Sequence, residues 1–264
     1  MRVAGEDLRG RSELEREDTG QCQHRDPMPT RSAHGPIVAI KALGPLLNDR
    51  ESPYGRTVND ILILPTGPLA EASLALARSS ESQPIVDHSI RSFLLARLLA
   101  DHEGCLNDVA YDEDLLFAAT VMHDLGLGEY AQGQARFEVE GADLAAGVLR
   151  KQGVAEADVD KVWEAIALHA CIGIADRRGL LTYLTHRGVF MDIGRTEDPV
   201  ASRLRQEVFN AYPRPAGDRS IADAIVKHAA RSEAAAPCGS LAAELLREHR
   251  EAGPAVRRAA PGMA

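Results

Sequence analysis

The stretch Val121-Met122-His123-Asp124-Leu125-Gly126 decides how this chain is read. Two polar, metal-competent side chains interrupt an apolar run, and burying them unpartnered would be costly. A metal ion or a hydrogen-bond network is therefore required around them. Adjacent residues on a helix point about 100° apart, so His123 and Asp124 can face one ion only where the helix stops. Gly126 and Gly128 supply the stop. Upstream, Asp112, Glu113 and Asp114 favour a helix start near Asp112, and Leu116, Ala119 and Val121 carry it towards Asp124.

Working outward, the apolar spacing stays close to 3.6 residues on both sides. Pro68 suits the first turn of a helix through Leu69, Leu74 and Ala77, and Pro84 opens another through Ile85, Phe93, Leu94, Leu98 and Leu99. Further helices are expected at about 138–152 and 156–170, separated at Gly153, then near 178–192, 201–211, 219–232 and 240–250. No internal repeat or strand pairing is evident. The fold class is all-α. Residues 1–34, charged and poor in large apolar side chains, read as a disordered extension; Met28 is the expected true start, with the preceding stretch an over-long gene prediction. Residues 35–67, broken by Gly and Pro, read as an irregular arm. A helical domain fills 68–250, and 251–264 reads as a frayed terminus.

Composition narrows the function. The 264 residues are 45% hydrophobic but only 4% aromatic, enough for a sizeable core and suited to helices. A net charge of -9 opposes broad binding to nucleic acid or to an anionic membrane. No run approaches the ~20 apolar residues of a membrane span, and the mixed-charge N-terminus lacks a secretory core. The four scattered cysteines form no CxxC pair. A cytoplasmic protein with a small-molecule substrate is expected; homodimerisation through an apolar helix face is compatible with this pattern, and no residue pattern specifies it.

Two more ligand types stand out. His88 lies early in its helix, and Asp192 is a carboxylate inside Val189-Phe190-Met191-Asp192-Ile193, which otherwise reads as core. Imidazole with carboxylate suits borderline or hard divalent ions: Zn, Fe, Mn, Co or Ni. The pattern His88-Ser89-Ile90-Arg91, His123-Asp124-Leu125-Gly126 and a late Asp192 resembles the HD-domain metal-enzyme superfamily. Arg136 to Ala142 (RFEVEGA) and Trp163 to His169 (WEAIALH) are similar to its cyanamide hydratase-like branch, over about residues 55–235. The resemblance implies an HD-domain helical bundle in which His88, His123, Asp124 and Asp192 hold one divalent ion. It implies a hydratase that adds metal-activated water to a small nitrile such as cyanamide. A phosphohydrolase is the alternative, followed by a di-iron oxygenase using His169 and His186, and a non-catalytic module.

The catalytic candidates are Asp124, His169, Arg91 and Glu138. His169 is read as substrate-facing or supporting a ligand, and His186 as structural. Arg91, one turn from His88 on the same face, can hold a ligand carboxylate or a substrate anion, or simply be exposed. Glu138 can orient a ligand or move a proton; as a helix-start carboxylate it needs no such role. Glu129 reads as surface, Trp163 as core, and His24, His34, His102, His228 and His249 as solvated.

Overall fold

The computed structural model describes residues 58–196 and 202–252; the expectations for residues 1–34, Met28, most of the arm and residues 253–264 lie outside these. Among the described residues every regular element is a helix. They run α1 (Val58–Leu62), α2 (Pro68–Ser80), α3 (Gln83–His102), α4 (Glu113–Val121), α5 (Phe137–Lys151), α6 (Glu156–Leu168), α7 (Leu180–Asp192), α8 (Ser202–Ala211), α9 (Ser220–Ala229) and α10 (Leu241–Glu251). None is long and apolar enough to cross a membrane. The described end of the arm is not wholly irregular: α1 forms there, and Ile61 is buried against the core.

Local chemistry sets the helix ends. Pro68 and Pro84 occupy first-turn positions, where a missing N–H is harmless. The Asp112 carboxylate accepts from the Leu115 N–H at 2.9 Å and so caps α4. Ser240 caps α10 in the same way through Ala243. Helix α4 ends three residues earlier than the apolar pattern suggests, at Val121, so His123 and Asp124 lie in the turn beyond it.

The long α3 is the central strut. It buries nearly all its residues, including the charged Arg91, Arg97 and Asp101. Phe93, Leu94, Leu95 and Leu99 pack it against α4 and α7 in one apolar cluster. A second cluster joins α4, α5 and α6 through Met122, Leu149, Val162 and Ile166. Phe137, Ile225, Val226 and Leu246 tie α9 and α10 to the start of α5.

Two glycines bring backbones close enough to build the site. A Cβ on Gly188 would sit 2.8 Å from the Ala96 Cβ and overlap the Ser92 carbonyl oxygen. At this near-backbone contact α7 crosses α3, and one turn further along α7 Asp192 falls beside His88 and Arg91. A Cβ on Gly126 would collide with the Phe137 carbonyl, so the turn carrying His123 and Asp124 seats directly on α5. Gly188→Ala is expected to force α7 off α3, with a loss of about 1–3 kcal/mol from overpacking. Urea unfolding would measure it, and an unchanged midpoint would contradict this account of the crossing.

Candidate metal centre

His88 from α3 and His123 with Asp124 from the turn after α4 place one ligand atom each within 4.8 Å of one another, all buried. His123 Nε2 lies 3.2 Å and His88 Nε2 3.8 Å from Asp124 Oδ2, and His169 Nε2 lies 4.0 Å from Oδ1. The His123 ring packs edge-on against both His88 and His169.

The outer ring nitrogens explain this convergence. His123 Nδ1 is 2.7 Å from the Thr120 carbonyl, His169 Nδ1 2.7 Å from the Ile166 carbonyl, and His88 Nδ1 2.6 Å from Asp192 Oδ2. Each partner can only accept, so each Nδ1 carries the hydrogen and donates. A neutral ring then keeps its lone pair on Nε2, aimed inward at Asp124. This is how proteins fix the tautomer and orientation of metal-binding histidines. Among the buried polar atoms that make no hydrogen bond are His123 Nε2 and Asp124 Oδ2, the two at the centre. Leaving such atoms unpaired in a dry interior is expensive. A divalent cation satisfies both, so the residues present fit the ion that the sequence implies.

Asp192 occupies a different place in this geometry from the three converging groups. Its Oδ1 accepts from Arg91 Nε at 2.6 Å, and its Oδ2 accepts from Arg91 Nη2 at 3.0 Å as well as from His88. Arg91 is thus a buried clamp on a carboxylate, neither exposed nor lining the cavity. Arg214 Nη1 adds a bond to the Asp192 carbonyl oxygen.

Electrostatics follow from this packing. Burial works to raise the Asp124 carboxyl, but His123, His88 and His169 around it win and hold it far below the carboxylate range. Burial likewise opposes charge on Asp192, yet His88 and Arg91 hold it down to about 2. His123 is also opposed by burial, but Asp124 beside it draws it above its ordinary value. Burial, reinforced by His123, pushes His169 down to about 4. A histidine depressed in the folded state favours folding above its ordinary value, and that contribution is lost as pH falls from about 6.5 towards 4. Metal-free protein should therefore lose urea resistance between pH 6.5 and 4, with His169→Gln removing that part of the slope. Identical slopes in the two proteins would contradict the assignment.

The three converging histidines and Asp124 open onto a cavity of about 620 Å³. His88, His123, Asp124 and His169 line it, together with Phe137, Val189, Phe190 and residues of α9 and α10. Glu138 is fully buried but held by Arg136 Nη2 at 2.6 Å. His186 lies behind the site: its Nδ1 donates to the His169 carbonyl at 2.6 Å, and its Nε2 is 3.5 Å from Asp176. It buttresses His169, as a structural histidine would.

A family comparison completes the picture: the model of the HD domain matches residues 85–258, which includes every helix from α4 to α10 and almost all of α3. The chain belongs to the HD domain family. No curated protein matches the chain. This HD domain departs from the sequence expectations at the margins. His228 is buried, with Nε2 2.9 Å from the Ala135 carbonyl oxygen, because α9 packs on the loop before α5. Trp163 is exposed on α6, where its indole N–H donates to Asp143. Arg136, the first residue of the RFEVEGA motif, lines the cavity of the HD domain, as do Cys171 and Arg214, which no local motif marks. Glu129 is exposed, as a surface carboxylate should be.

Proposed function

We propose that this HD domain is a metal-dependent hydratase that adds water to the carbon of a nitrile-type substrate, the reaction of the cyanamide hydratase-like branch. One observation carries the reading: three inward Nε2 lone pairs and a carboxylate meet at a largely apolar cavity, and two of the arginines around it are already paired with carboxylates. Arg91 is spent on Asp192 and Arg136 on Glu138. HD proteins are mostly metal-dependent hydrolases, and hydration uses the same activated water without a charged leaving group.

His88, His123 and Asp124 would hold one divalent ion, with Asp192 orienting His88 from behind or closing the ligand set. When bound, the ion lowers the pKa of a coordinated water and so supplies a hydroxide-like nucleophile near neutrality. His169, neutral at working pH and facing the cavity, accepts a proton at Nε2 and returns it to the substrate nitrogen. The apolar wall of Phe137, Val189 and Phe190 excludes bulk water and strengthens these interactions.

The balance is R–C≡N plus H₂O to R–C(O)NH₂: the water oxygen bonds to carbon, both hydrogens end on nitrogen, and nothing is oxidised or reduced. Cyanamide would give urea. Arg195 and Arg214 also line the cavity and support the second reading, a phosphohydrolase. Metal-reconstituted protein should form urea from cyanamide or an amide from a simple nitrile. Silence on both, with hydrolysis of a phosphate ester, would overturn the first reading in favour of the second.

A further inference from the structure

The cavity is far too large for the smallest substrate of that chemistry. Volumes of ~300–1,000 Å³ enclose drug-sized ligands, and this one is about 620 Å³. Cyanamide has three heavy atoms, so it would leave room for many waters at about 30 Å³ each. Much of the rest of its lining is apolar. Ile174, Ile221, Ile225, Leu241 and Leu245 face the cavity, supplied by the loop before α7 and by α9 and α10. Ile174 remains 54% exposed at the cavity wall, and a large apolar side chain left open on a concave surface marks a place where an apolar group docks.

Two carboxylates, Asp218 and Glu244, line the cavity beside Arg195 and Arg214, and Arg214 helps hold the Asp218 carboxyl below its usual range, after the larger effect of its Ser220 hydrogen bonds. These carboxylates oppose an anionic substrate. An uncharged one meets no such repulsion.

Resting on the hydratase reading, we propose that the substrate is an uncharged nitrile with an apolar body, aryl or branched alkyl, seated on the Ile174, Ile225 and Leu241 wall. The nitrile carbon is directed to the metal end, and the wall sets specificity through KM.

The test compares full-length, metal-loaded protein on hydrocinnamonitrile, acetonitrile and cyanamide. Separately, it measures binding of the product hydrocinnamamide to metal-free protein by calorimetry. The aryl nitrile should exceed acetonitrile in kcat/KM by at least about tenfold, the discrimination expected from a few buried carbons. Ile174→Asp, at an exposed position that tolerates the change, should weaken amide binding by about tenfold. Equal kcat/KM for all three compounds, or amide binding indifferent to Ile174→Asp, would overturn the proposal while leaving the hydratase reading intact. Amide binding sensitive to Ile174→Asp but with no turnover of any nitrile would uphold the apolar wall and overturn the hydration chemistry.

Discussion

Asp124→Ala is expected to abolish activity, by about a thousandfold or more, and to empty the metal centre while the helices persist. Nε2 atoms of three histidines surround this one carboxylate at 3.2 to 4.0 Å, so its removal takes away the negative charge that offsets a dication in a dry site. Replacing a residue behind a ligand already costs 10–100-fold in metal affinity or activity, and removing the central ligand must cost more. The helices should survive because the side chains that draw the Asp124 charge down are the histidines of the centre, and those rings keep their own backbone and Asp192 partners. Circular dichroism together with metal content separates the outcomes. A folded variant that keeps both its metal and its turnover would exclude the site.

The second large effect falls on stability. Arg91→Met should destabilise the fold by about 3–5 kcal/mol, the cost of stranding a buried charge, which for a chain of this size lowers Tm by roughly 10 °C. Arg91 is 1% exposed and Asp192 fully buried, and two of the guanidinium nitrogens grip the carboxylate. Arg91→Lys should recover only part of the loss, because an ammonium cannot reproduce the planar fork. The loss should shrink at strongly acid pH: Asp192 is held down to about 2 in the folded state, so its stabilisation is fully present above its ordinary value near 4 and is lost as pH falls from there towards 2. Calorimetry at pH 7 and at about pH 2.5 checks both points. A Tm for Arg91→Met within a degree or two of wild type would show that the clamp contributes nothing.

Much of this was legible in the chain itself, for physical reasons. The 3.6-residue apolar spacing located α2 to α7 because those helices bury one face against a common core. The polar pair inside Val121 to Gly126 drew attention because buried polar groups need partners, and Gly126 marked the turn that aims them. Asp192 stood out by the same reasoning, and the spacing of His88 and Arg91 placed both on one face of α3.

What the sequence left open belongs to tertiary packing. Nothing local distinguishes an Asp192 that touches an ion from one that holds His88 from behind; that depends on how closely Gly188 lets α7 approach α3. The fate of His228 turned on α9 folding back over the loop before α5. The apolar wall draws on Ile174 and on Ile221, Ile225, Leu241 and Leu245, remote in sequence from His123 and unmarked by any motif. Its side chains look like ordinary amphipathic helix faces until the fold turns them inward.

On the proposed reading His88, His123 and Asp124 hold one divalent ion. The most direct measurement is the metal content per chain of purified, reconstituted protein by mass spectrometry, with His123→Ala alongside. One ion per chain in the wild type, lost in the variant, is the expected result. No retained ion with any of Zn, Fe, Mn, Co or Ni, or two ions per chain, would contradict it.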